Sequence, residues 1–165
     1  MSVTTRIGGW TPRARPVRIS ALLELYERNF RLIECLAPEL EFPFDDAVSY
    51  SATDLPLRLT VSERGRFTVA FRLTYEFPEA DGVKREPDLE VRVYRDARLA
   101  EALICPSRPA WLARDDGDPQ ALQFLDDQWG RNLLLHKWLH YLLEHGHGFG
   151  LAARPRRAQA AEPAA

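Results

Sequence analysis

The chain has 165 residues, with 45% hydrophobic, 10% aromatic and 28% charged side chains, and a formal net charge of −2. This composition excludes a wholly disordered chain, a collagen-like fibre and a disulfide-stapled mini-protein, and no apolar run approaches the 18–20 residues of a membrane-spanning helix. The charge is unevenly spread. Residues 1–18 carry Arg6, Arg13, Arg15 and Arg18 without an acid, and residues 154–165 carry Arg154, Arg156 and Arg157 against Glu162. Without these two ends the body holds 15 basic and 23 acidic residues, net −8. Such a body repels a polyphosphate, so nucleic acid is disfavoured as a partner except through the arginine-bearing tails. Cys35 and Cys105 form no C-x-x-C pair, and the first residues contain no apolar signal-peptide core, which points to a reducing cytoplasm.

Residues 1–18, with Gly8, Gly9, Pro12 and Pro16, read as a flexible basic arm, 19–153 as one domain and 154–165 as a disordered tail. A first helix is expected from Ser20, as N-cap, to Leu36 before Pro38. Ile19, Leu22, Tyr26, Phe30 and Ile33 recur there at three- and four-residue steps. Asn29 falls within that apolar arc. A buried amide without partners costs about 1–3 kcal/mol, so it requires hydrogen bonds.

Residues 47–107 alternate with period two. A weak strand Val48–Thr53 opens the set. Leu57, Leu59 and Val61 then alternate with Arg58, Thr60 and Ser62. The residues from Phe67 to Phe77 and from Leu89 to Tyr94 behave likewise, and Leu99–Cys105 forms a further strand of ambiguous facing. One buried and one wet face is antiparallel behaviour. Arg64-Gly65-Arg66 reads as a tight turn with glycine at positive φ, and pairing Val61 with Val69 would set Arg58 opposite Arg72. Pro78–Pro87 reads as an exposed, mobile loop.

Asp118-Pro119 starts a last helix, with Gly130 as a candidate break and Gly146 as its cap, and with an apolar arc of Leu134, Leu135, Trp138, Leu139, Tyr141 and Leu142. The expected fold is α+β: an antiparallel meander of about five strands with an N-terminal and a C-terminal helix packed on one face.

No catalytic motif appears: no phosphate loop, no G-x-S-x-G elbow and no cysteine–histidine pair with triad logic. His136 and His140 have the spacing of a metal-binding helix, but Lys137 stands where a metalloprotease carries glutamate and no third ligand is near. The pair reads as a solvated face, and neither a metal nor another cofactor is expected. His145 and His147 read as a helix end. The wet sheet face is the richer feature, since Arg58, Arg72 and Arg92 could hold a carboxylate or phosphate beside Tyr94.

Three stretches together resemble the YqiB-like family of uncharacterised proteobacterial proteins. They are Leu25-Tyr26-Glu27 with Asn29-Phe30, then Val91 to Ala97 leading to Ala100-Glu101, and Asn132 through Trp138-Leu139 and Tyr141 to His145-Gly146. The resemblance spans about residues 17–150 and implies no activity. It contains Asn29, Arg92, Tyr94 and Asp96, and leaves out His136 and His140. Genes of this family often stand near a Nudix-type hydrolase and a cyclic-nucleotide phosphodiesterase, which implies a nucleotide-like ligand as an alternative. The leading expectation is a non-enzymatic regulatory or protein-interaction module with an unknown protein partner. The alternative is a binder of, or enzyme on, a small anionic ligand at Arg58, Arg72, Arg92, Tyr94 and Asp96.

Overall fold

A computed structural model describes residues 18–39, 44–104 and 120–150. Residues 1–17 of the expected arm, the tail, Cys105 and the start signal Asp118-Pro119 lie outside these residues. Helix α1 spans Ile19–Leu36, strands β1 to β5 span Asp46–Ser49, Leu57–Arg64, Thr68–Glu79, Gly82–Tyr94 and Leu99–Ile104, and helix α2 spans Gln120–Glu144. The strands form one antiparallel sheet in the order β1-β2-β3-β4-β5.

One sheet face carries the core. Leu57 and Leu59, Val69, Phe71 and Leu73, Leu89, Val91 and Val93, and Ala100 and Ala102 are all buried. Against them pack Phe30, Ile33 and Leu36 of α1 and Leu135, Trp138, Leu139 and Leu142 of α2. Each large aliphatic or aromatic side chain buried there contributes about 1.5–3 kcal/mol, which is what holds two helices on one sheet. Strand β5 faces the core through Ala100 and Ala102. Their small side chains leave room for the helices, a choice that periodicity alone left open.

The helices run parallel. Tyr26 of α1 bonds Gln128 of α2, and Asn29 bonds Asn132. At the far end the Phe149 N–H donates to the Leu36 carbonyl at 2.7 Å, satisfying one of the acceptors that a helix end leaves open. Helix α2 lies diagonally across the sheet, from Asn132 at β5 past Trp138 at Tyr75 of β3 to the residues just beyond its end at β1.

Several expectations are corrected. Ser20 is not the N-cap. Arg18 is, without a side-chain cap, because Leu22 N–H already closes the first turn onto the Arg18 carbonyl. Ile19 is exposed, and the buried stripe runs instead through Leu22, Leu25, Asn29, Phe30 and Ile33. Helix α2 passes through Gly130 without a break; its tertiary packing outweighs the penalty of about 1 kcal/mol for an interior glycine. It does end at Gly146, at φ +78°, where the Gly146 and His147 amides bond the Leu143 and Leu142 carbonyls in a Schellman arrangement.

The β2–β3 register differs from the expected one by two residues: Val61 pairs with Phe71, Arg58 with Thr74 and Thr60 with Arg72, with a bulge between Val61 and Glu63. A two-residue slip preserves facing, so the apolar pattern cannot detect it. The loop decides. It comprises Gly65, Arg66 and Phe67, so Phe67 leaves the core and is half exposed beneath the Arg66 guanidinium. Gly65 lacks a positive φ. It is needed because a Cβ there would lie 2.5 Å from Thr68 Oγ1. The expected loop Pro78–Pro87 is instead the exposed end of the β3–β4 hairpin, closed by Ala80-Asp81. Pro87 sits beside the bulge in that ladder, a position that tolerates its missing N–H. Strand β1 begins earlier and ends earlier than the expected Val48–Thr53.

Candidate functional site

The sheet face opposite the helices collects the charged residues that the alternation pointed outward. Thr60, Arg72 and Glu90 stand in one cross-strand row, Arg58, Thr74 and Asp88 in the next, and Ala70, Arg92 and Glu101 in a third. The three arginines are therefore staggered over the face and do not line up side by side.

Each is held by a carboxylate of the chain itself. Arg58 donates Nε to Glu76 Oε1 at 2.7 Å and Nη2 to Oε2 at 3.3 Å, and its Nη1 meets Asp46. The hydrogen bonds to Glu76 are the largest cause of its raised pKa. Arg72 Nε lies 3.3 Å from Asp88 Oδ1, without hydrogen-bond geometry. Arg92 Nη2 donates to Glu63 at 3.0 Å. Tyr94 donates to Glu101 at 2.7 Å, and its pKa is raised, first by burial and then by that bond. Asp96 does not join this set. It lies exposed in the Arg95–Arg98 turn. Arginine forks engaged this way already have the geometry that a carboxylate or phosphate ligand would require, but with internal partners.

Asn29 belongs to a different place, the seam between the helices. It is fully buried; its Nδ2 donates to the Asn132 carbonyl at 3.2 Å and its Oδ1 meets His136 Nδ1 at 3.1 Å. Asn132 in turn accepts the Ala102 N–H of β5 at 2.9 Å and donates to the Gln128 carbonyl, while Arg131 donates to the Leu103 carbonyl at 2.8 Å. These side chains cover backbone groups of an edge strand that would otherwise invite pairing. His136 therefore faces α1, against the expectation of a solvated face, because the parallel helices bring Asn29 over it; His140 is exposed. Tyr26, in the same seam, is pushed up to about 12 by burial and by Glu101.

A third polar group escaped sequence reasoning. Just past α2, His147 sits between Ser49 of β1 and Asp54 of the β1–β2 connection. Its Nδ1 lies 3.1 Å from Ser49 Oγ and its Nε2 lies 3.0 Å from Asp54 Oδ2. Ser49 Oγ accepts the Gly148 N–H at 3.0 Å, which directs its own proton to Nδ1 and leaves Nε2–H to donate to Asp54. Asp54 also accepts the Tyr75 hydroxyl at 2.6 Å. Burial alone would raise the Asp54 pKa, but the bonds from Tyr75, the Leu55 backbone and His147 hold it below its ordinary value.

The residue types are those of a serine–histidine–aspartate relay, but the His147 side chain is 0% and the Asp54 side chain 8% exposed. Ser49 is 4% exposed, with its Oγ closed by Gly148 and the imidazole. The group therefore acts as a latch joining the α2 end to the sheet, and Ser49 is not placed to attack a substrate. His147 lies 93 residues from Asp54 and 98 from Ser49 in sequence, so no local spacing could have revealed the group. Among the described residues no cluster of three or more histidine, cysteine or acidic side chains is arranged to hold a metal. Among the same residues no helix is long and apolar enough to cross a membrane.

Residues 32–148 match a family profile described as "Protein of unknown function (DUF1249)". The chain belongs to this family. Members similar to it include the "Uncharacterized protein YqiB" of Escherichia coli K12 and of E. coli O157:H7, each 32% identical over 127 residues, covering 76% of this chain and 88% of the relative. No solved structure matches. The DUF1249 match contains Ser49, Asp54 and His147, the packing face of α2 and the arginine-bearing sheet face, but only the last turn of α1, with Ile33 and Leu36.

Proposed function

We propose that this DUF1249 protein is a non-enzymatic protein-interaction module of the cytoplasm whose contact surface is the arginine-bearing sheet face. The observation that carries this reading is the asymmetry of the sheet. The helices cover one face, while the other presents Arg58, Arg72, Arg92 and Tyr94 in ion pairs and hydrogen bonds made within the chain. A small anion would have to displace those carboxylates. A protein surface of mixed charge can instead meet both signs at once and take its specificity from complementarity. The sealed state of Ser49 and His147 supports a binding role over hydrolysis.

The test places a photo-crosslinking residue at exposed Thr60 on this face and, as control, at exposed Glu27 on α1. In cells, position 60 is expected to give a discrete protein adduct that Arg72→Glu removes, and position 27 none. Equal adducts at both positions, or none at either, would refute the surface. The rival reading is a small anionic ligand on the same arginines. It would take over if inorganic phosphate or a nucleotide raised the melting temperature and Arg92→Ala abolished the rise.

A further inference from the structure

The seam between the helices determines the protonation pattern of one histidine. The Asn132 carbonyl can only accept, so the Asn29 amide nitrogen faces it at 3.2 Å and Asn29 Oδ1 is turned to His136 Nδ1 at 3.1 Å. An oxygen there requires Nδ1 to carry the proton, which leaves the lone pair on Nε2. A histidine whose Nδ1–H is anchored on a carbonyl, with Nε2 free, is arranged as metal-ligating histidines are by their outer hydrogen bonds.

His140 stands one turn further along the same helix face. Its ring meets that of His136 edge-on with centroids 4.8 Å apart, and it has no hydrogen-bond partner among the described residues. We propose that His136 and His140 form a two-imidazole site on α2 for a zinc-class divalent cation, with Asn29 as the positioning residue. Water or a donor atom of a bound molecule completes the coordination. Two protein ligands separate this site from the closed four-ligand centres that stabilise folds.

Arg28 of α1 acts on His136 and opposes a cation, as does Lys137, its neighbour in sequence, while exposed Glu144 stands one turn beyond His140 on α2; this balance makes the site an exchangeable one. The spacing alone argued against a metalloprotease centre, and that argument stands. What the fold adds is the anchor from α1.

The test is titration of the full chain with zinc chloride, followed by calorimetry and by long-range proton–nitrogen spectra of the histidine rings. Saturable one-to-one binding is expected, with the His136 Nε2 resonance shifting on metal addition. Binding should weaken at least tenfold in His140→Ala, an exposed position whose loss spares the fold, and stay unchanged in His145→Ala. Unaltered affinity in His140→Ala overturns the proposal. So does an Nε2-protonated His136 in the metal-free protein, or the absence of saturable binding.

Discussion

Asp54 shows how one buried carboxylate can tie three parts of the chain together. It accepts from Tyr75 on β3 and from His147 beyond α2, and its own place is in the β1–β2 connection. Asp54→Asn keeps the volume, removes the charge and turns an acceptor into a donor facing donors. It is expected to cost about 3 kcal/mol in urea unfolding, the scale for breaking a buried charge-assisted network. Because the folded pKa of Asp54 is lowered from 3.8, its stabilising effect is full above that value and is lost as pH falls through the lower folded value. His136 has the opposite charge type and a lowered pKa. The unfolded chain takes up the proton first as pH drops through about 6.5, so stability falls from there until the folded group protonates too. Unfolding free energies between pH 7.5 and 5.5 should therefore decline, and His136→Gln should flatten that decline.

At the scale of elements, register and edge protection were decided by contacts that periodicity cannot encode. The apolar alternation of β2 and β3 permits any even slip. The bulge after Val61 and the Gly65–Phe67 loop select one, and Arg95 holds that loop by donating to the Gly65 and Arg66 carbonyls. Gly65→Ala should lower stability by about 1 kcal/mol, and Thr68→Ala should relieve most of that loss, since the clash is with Thr68 Oγ1. Edge strand β5 is guarded by Asn132. Asn132→Ala leaves the Ala102 N–H without its acceptor and should cost about 2 kcal/mol, with faster hydrogen exchange at Ala102 as the site-specific signature. Nothing in the helical pattern of residues 120–144 marks Asn132 for this task, because its partner belongs to a strand 30 residues earlier.

Over the whole molecule, order is graded along the β3–β4 hairpin. Near its base Leu73 and Val91 are fully buried, whereas residues 78–86 are exposed and extend past the last β2 and β5 partners. Amides of Val83 to Arg85 should exchange orders of magnitude faster than those of Phe71 to Leu73, a contrast measurable by native-state exchange. Slow exchange at the hairpin end would show that the ribbon is covered in solution. The same grading separates the helix-covered face, which is a packed core, from the charged face, which carries the proposed interaction.

By itself the sequence determined the α+β class, the meander, the two helices with their stops at Pro38 and Gly146, and the outward placement of Arg58, Arg72 and Arg92. Those properties follow from local periodicity, backbone restriction and helix capping, which act over a few residues. Only the tertiary structure decided which carboxylate holds each arginine and which face of β5 is buried. The same is true of the partners of Asn29 and of the meeting of Ser49, Asp54 and His147. Each of these depends on the distance between residues far apart in the chain, and that distance exists only once the helices have packed on the sheet.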